Sequence, residues 1–239
     1  MEISLSGSIA LIAGGTGGLG RAVSLAFLAE DATVIVTYRK QDEFASLQRS
    51  AGPMASRLEG HSVDVTDEKA VAQCVGAVLK SHGKIDALVN TVGAYAGGVS
   101  VWDLEPEVFD RLLSLNLRAA YVLSRAMLPG MLHQKRGAIV NVVAKAALDH
   151  AAGASAYAAS KAGALALMDS IAADVKGKGV RVNSILPSII DTEVNRRAMP
   201  DANFAVWPKP EDIAKVILFL CSEQAKVIHG AAISVYGDS

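Results

Sequence analysis

The chain has 239 residues, a length that fits one large domain, and 51% hydrophobic against 20% charged residues supplies a sizeable core and excludes general disorder. A formal net charge of −1 gives no field to draw nucleic acid or an anionic membrane. Two distant cysteines, Cys74 and Cys221, argue against a disulfide framework or a zinc module, no metal site is read from the histidines, and a reducing cytoplasm is the expected setting.

No basic stretch precedes the first apolar run, which glycines interrupt, so no signal peptide is expected. No apolar run reaches the roughly 18 residues of a membrane-spanning helix. Residues 9–13 read as a strand, followed through a glycine-rich turn by a helical pattern over 21–29. A second strand is expected at 33–37, a helix at 67–80 and a strand at 87–90. Helix 107–128, strand 138–143, helix 155–175 and strand 180–186 follow, then helix 210–222 and strand 232–235. The strands are near-continuous apolar runs, as expected where both faces are covered. Strand–helix alternation implies one α/β domain over 1–239, with a parallel sheet between helical layers. The longest irregular stretch is 188–209, a length that is often functional in a compact domain.

The first turn reads Gly14-Gly15-Thr16-Gly17-Gly18-Leu19-Gly20. Glycine permits positive φ and close approach of a phosphate, and the helix that follows offers free N–H groups and a positive dipole end. In this position the turn is read as a pyrophosphate site, formed by Gly14, Gly15, Thr16, Gly18, Leu19 and Gly20. The second strand ends in Tyr38-Arg39-Lys40, where an acid would take the ribose hydroxyl of NAD and a cation the 2′-phosphate of NADP. NADP is therefore favoured over NAD, although Asp42 and Glu43 lie close enough in sequence to serve a ribose.

Tyr157 and Lys161 stand four apart on the helix expected over 155–175, and so share one face. An ammonium beside a phenol is expected to lower the phenol's pKa from about 10, which suits proton exchange coupled to hydride transfer.

In these motifs the chain resembles the short-chain dehydrogenase/reductase family, and the likeness runs over nearly its whole length. Gly14, Gly18 and Gly20 match its glycine motif, and Tyr157 and Lys161 its catalytic pair. Asn90-Thr91-Val92-Gly93 resembles the family's Asn-Asn-Ala-Gly segment. The resemblance implies a Rossmann-type doubly wound sheet in the order 3-2-1-4-5-6-7. It implies cofactor contacts at Asp64, Val65, Asn90, Gly93, Pro187, Ile190 and Thr192, with Asp64 on the adenine amino group. It implies that Asn116 supports a proton-relay water, and that the chain assembles as a homodimer or homotetramer through helices 107–128 and 155–175.

One position departs from the pattern. The family's catalytic serine lies thirteen residues before the tyrosine, and here that residue is Ala144. Ser155 and Ser160 are near Tyr157 in sequence but not at the end of the fifth strand, so neither is expected to replace it. Within the family, the segment Ala144-Lys145-Ala146-Ala147-Leu148-Asp149 is similar to dihydropteridine reductase, which also has alanine there. So are Gly93-Ala94-Tyr95-Ala96-Gly97-Gly98 and the run 186–204 with Trp207. The substrate pocket is therefore placed at Tyr95, Ala144, Met199, Phe204 and Trp207, with Tyr95 against a flat ring and Trp207 or Phe204 closing over it. The reading is an NAD(P)H-dependent reductase, with a quinonoid dihydropterin as leading substrate. The alternatives are a carbonyl or alcohol oxidoreductase of the 3-oxoacyl reductase kind and a non-catalytic NADP-binding protein.

Overall fold

In the computed structural model, which describes residues 3–239, all five residues of strand β1 (Ile9–Ala13) are buried. Successive side chains alternate between faces: Ala10 and Ile12 join one core cluster, Leu11 and Ala13 the other. The pattern repeats in β2 (Thr33–Tyr38), β4 (Ala87–Asn90), β5 (Gly137–Val142) and β6 (Val180–Pro187). With β3 (Leu58–Ser62) and β7 (Ala232–Val235) at the edges, they form one parallel sheet in the order β3-β2-β1-β4-β5-β6-β7. This is the Rossmann-type doubly wound order expected from the sequence. Among the described residues, no helix is long and apolar enough to cross a membrane.

Helices α1 (Gly18–Ala29), α2 (Gln41–Ala51) and α8 (Pro210–Cys221) cover one face, filling it with Phe27, Phe44, Leu47, Ile213 and Ile217. The other face carries α3 (Glu68–His82), α5 (Ala119–His133) and α6 (Ser155–Val175), with Val71, Leu123, Met127 and Met168. The ends of α3 are set by local chemistry. Asp67 Oδ1 accepts from the Lys69 and Ala70 amides at 2.8 and 3.1 Å, and Gly83 closes the helix at φ 75°.

The structure differs from the sequence-based expectation at four places. Strand β3, implied by the seven-strand order, is not located by the residue pattern: of its residues Leu-Glu-Gly-His-Ser only Leu58 is buried, so the apolar signal is absent. Helix α2 was not expected because it is polar, burying only Phe44, Leu47 and Ala51. The continuous helix expected over 107–128 is α4 (Pro106–Leu113), a π turn over Ser114–Arg118, and α5. The irregular stretch 188–209 contains the short helix α7 (Glu193–Ala198), which Thr192 caps through its hydroxyl.

Candidate active site

The carboxyl ends of β1, β4, β5 and β6 bring Gly14, Asn90, Ala144 and Pro187 to one edge of the sheet, the edge where ligands settle in open α/β folds. At the end of β1, Gly14 takes φ 72° and its amide is held by the Thr37 hydroxyl at 3.1 Å. A Cβ on Gly20 would lie 2.1 Å from the Gly14 carbonyl oxygen, and one on Gly18 would lie 2.8 Å from Thr192 Cγ2. Ser24 ties the turn to the helix by donating to the carbonyls of Gly15 and Gly20. No side chain caps α1, so its first amides face the turn. Narrow backbone clearance and free helix-terminal amides fit a dinucleotide pyrophosphate.

The second-strand end places Arg39 and Asp64 in an exposed ion pair at 2.9 Å. Asp64 Oδ1 also accepts from the amide and hydroxyl of Thr66, at 3.0 and 2.7 Å. The Thr66 bonds, with Arg39 adding to them, hold the Asp64 carboxyl below its usual range. Lys40 pairs with Glu43 at 3.1 Å, and Glu43 also accepts from Thr16 of the glycine turn at 3.2 Å. Tyr38 stacks on Phe44 with ring centroids 4.8 Å apart. Val65 is buried, and Asn90 is spent on structure, donating to Asn141 at 2.7 Å and accepting from the Val92 amide.

On α6, Tyr157 and Lys161 share a face as the spacing requires. Lys161 is 5% exposed, and its ammonium donates to the Val142 carbonyl at 3.1 Å. Burial brings its pKa down to about 8. The phenol goes the other way from the sequence-based expectation: burial, with a smaller contribution from neighbouring Tyr95, pushes Tyr157 up to about 12. Desolvation sets the direction for the phenol, while the Lys161 ammonium is turned to the Val142 carbonyl. Tyr157 thus holds its proton at neutral pH. Among the described residues its hydroxyl has no hydrogen-bond partner, which leaves it free for a substrate.

Asn116 sits in the π turn, 2% exposed. Its Oδ1 accepts from the Ala94 amide at 2.8 Å, and its Nδ2 donates to the Ala94 carbonyl and to Ser160 Oγ at 3.0 and 2.9 Å. Ser160 in turn donates to the Tyr157 carbonyl at 2.8 Å. Ser160 is therefore a positioning residue, committed to the backbone and unavailable to a substrate. Sequence reasoning missed this linkage, and the partnership of Thr66 with Asp64, because neither carries a motif. A Cβ on Gly93 would lie 2.8 Å from Asn116 Oδ1 and 3.1 Å from Lys161 Nζ, so glycine is what lets the two side chains converge.

Ala144 lies two residues beyond β5 with an extended backbone and is buried, presenting a methyl group where the family pattern has a hydroxyl. Tyr95 meets Tyr157 edge-on with centroids 4.9 Å apart and is 68% exposed. Met199 is half-buried at the end of α7. Phe204 and Trp207 pack on each other at 5.0 Å, with the Arg196 guanidinium over Phe204. Trp207 is 6% exposed, so its ring belongs to the packing of the loop. Pro187 closes β6, and the Ile190 carbonyl accepts from the Thr192 amide and the Asn195 side chain, at 2.8 Å each.

A groove of about 780 Å³ opens at the opposite edge of the sheet, beside Asp86, Arg136 and Arg181, and none of the residues above lines it. Arg181 there is engaged by the carbonyls of Leu220, Ser222 and Ala225.

A family model for the short chain dehydrogenases matches residues 8–203. The chain is 30% identical over 241 residues to the 3-oxoacyl-[acyl-carrier-protein] reductase FabG of Thermotoga maritima, covering 98% of each chain. It is 32% identical over 254 residues to 2-(S)-hydroxypropyl-CoM dehydrogenase 3 of Xanthobacter autotrophicus, covering 99% of this chain and 98% of that one. The solved structure of ElxO with NADP bound matches with a TM-score of 0.91 at 26% identity, over 96% of this chain and 97% of that one.

Proposed function

The chain belongs to the short-chain dehydrogenase/reductase family and is an NAD(P)-dependent oxidoreductase, and from that premise we propose that it works as an NADPH-preferring reductase with Tyr157 as proton donor. The observation that carries the reading is the pairing of a retained Tyr157–Lys161 couple with a buried methyl at Ala144. The nicotinamide supplies a hydride when bound. Everything else falls to side chains of this chain. The turn from Gly14 to Gly20 and the start of α1 hold the pyrophosphate, Arg39 and Lys40 receive a 2′-phosphate, and Lys161 holds the nicotinamide ribose.

Tyr157 hands its proton to the acceptor from its hydroxyl oxygen, and its raised pKa keeps that proton in place at neutral pH. The buried Lys161 ammonium offsets the phenolate that results. Asn116 keeps the Ala94 backbone and Ser160 in register beneath the phenol, next to the relay water the family places there.

Ala144 favours an acceptor in which no localised alkoxide has to be stabilised. A quinonoid dihydropterin is the leading case: its conjugated ring spreads the added charge and becomes aromatic in its pyrimidine part on reduction. Tyr95 and Met199 would border that ring. The rival is a carbonyl acceptor, favoured by whole-chain likeness to a 3-oxoacyl reductase. Assembly as a homodimer or homotetramer through the outer face of α4, α5 and α6 is part of the proposal, since Phe109 and Tyr121 stand exposed there.

The deciding experiment is steady-state oxidation of NADPH and NADH with quinonoid dihydropterin regenerated in the cuvette. Turnover with NADPH ahead of NADH, abolished by Tyr157→Phe, is expected. Full activity of Tyr157→Phe would remove the proton-donor assignment. Tight NADPH binding without turnover on pterin, ketone or quinone would leave a cofactor-binding protein.

A further inference from the structure

Resting on the reading of Tyr157 as proton donor, we infer that the phenol hydroxyl of Tyr95 is the second hydrogen-bond donor to the acceptor's reacting oxygen, the role that Ala144 leaves empty, so that the site accepts small ketones as well as conjugated rings.

Four observations converge on Tyr95. Its ring meets Tyr157 edge-on at 4.9 Å, so both phenols border the same space. It is 68% exposed and its hydroxyl has no partner among the described residues, so the donor is free and open to solvent. The chain before it is fixed, because Asn116 binds both the amide and the carbonyl of Ala94, which aims the next side chain. Gly97 makes room for the hydroxyl: a Cβ there would lie 2.2 Å from Tyr95 Oη. The neighbouring hydroxyls do not compete. Ser160 is buried and donates to the Tyr157 carbonyl, and Ser155 lies exposed at the first turn of α6.

In ketone reduction the carbonyl carbon takes a hydride from the reduced nicotinamide, and the carbonyl π pair moves onto oxygen. That oxygen takes the proton of Tyr157, giving an alcohol and the oxidised cofactor, and Tyr157 recovers a proton from solvent. Tyr95 keeps its own proton and holds the oxygen by a hydrogen bond while negative charge grows there. Removing one such donor costs about 100-fold or more in kcat in acyl-transfer sites, and a solvent-open donor should cost about 10- to 100-fold.

The test crosses positions 95 and 144. The acceptors are 2,3-butanedione, which develops a localised alkoxide, and quinonoid dihydropterin, which does not. Tyr95→Phe should lower kcat for butanedione about 10- to 100-fold and affect the pterin far less. Adding Ala144→Ser to Tyr95→Phe should restore most of the loss, a rescue that a purely structural role would not allow. A second readout needs no cofactor. In an ultraviolet titration of the free protein, the Tyr157 component, assigned by its absence in Tyr157→Phe, should move to lower pH in Tyr95→Phe, since a charge on Tyr95 raises it.

Equal butanedione kcat in wild type and Tyr95→Phe overturns the assignment, as does a loss that serine at 144 fails to restore. Wild type inert on butanedione while Ala144→Ser turns it over also overturns it. Failure of every variant on butanedione overturns it as well, and a titration unmoved by Tyr95→Phe removes the coupling of the two phenols on which it rests. Tyr157→Phe separates the two levels: full activity there defeats the underlying function, whereas loss there without effect at 95 defeats only Tyr95.

Discussion

Replacing Lys161 by methionine should make the protein more stable at neutral pH while destroying its activity. The ammonium is 5% exposed, and burial brings its pKa from 10.5 to about 8. The unfolded chain therefore binds this proton more tightly than the folded one. The resulting penalty is fully present below about pH 8 and fades as pH rises toward the unfolded value. At about 1.4 kcal/mol per pKa unit, the charge costs about 3 kcal/mol at pH 7 and about 1 kcal/mol at pH 9.5. Methionine removes that cost but strands the Val142 carbonyl, which Lys161 satisfies at 3.1 Å, a loss of about 1 kcal/mol. The net gain is then about 2 kcal/mol at pH 7 and close to zero at pH 9.5. Tyr157 does not disturb the comparison, because its pKa lies above this window in both states. Urea unfolding of wild type and Lys161→Met at the two pH values measures the gap. A variant less stable at pH 7, or a gap that fails to narrow by pH 9.5, would refute the argument that desolvation dominates at this lysine.

Two further outcomes follow from the same geometry. Asn116→Ala removes three hydrogen bonds, to the Ala94 amide and carbonyl and to Ser160. At about 0.5–1.5 kcal/mol each and about 2–4 °C per kcal/mol for a chain of this size, Tm should fall by about 3–18 °C, and an unchanged thermal melt would show that the π turn stands without them. Arg39→Ala should raise KM for NADPH about tenfold, equivalent to one charge-assisted bond, and leave KM for NADH nearly unchanged; equal effects on both cofactors would assign Arg39 to the ion pair with Asp64 alone.

The parts of the molecule that were legible in the sequence are those where one physical signal dominates. The buried strands announce themselves as apolar runs, and the glycine turn by residues that a Cβ would block, such as Gly20 against the Gly14 carbonyl. Helical spacing puts Tyr157 and Lys161 on one face, and the family resemblance picks that pair out. Edge strand β3 and polar helix α2 escaped because pairing and a few anchors, rather than a hydrophobic pattern, hold them. The Tyr157 shift runs opposite to what spacing implies, because spacing reveals which groups share a face but not how much water they lose. Local likeness sets Trp207 or Phe204 over the pocket, whereas the loop packs the buried Trp207 ring against Phe204.

The π turn at Ser114–Arg118 has a consequence for chain length. A π turn accommodates an extra residue within a helix, and one residue corresponds to about 100° of rotation at 3.6 residues per turn. Deleting a single residue there would let α4 and α5 join in an unbroken α-helix with a better backbone ladder. The wide turn already absorbs that residue's rotation, so the deletion would leave Leu112 and the Ala119–Leu123–Met127 stripe facing as they do now. What the shortening would disturb is the π turn itself, where Asn116 is set to hold both the Ala94 backbone and Ser160.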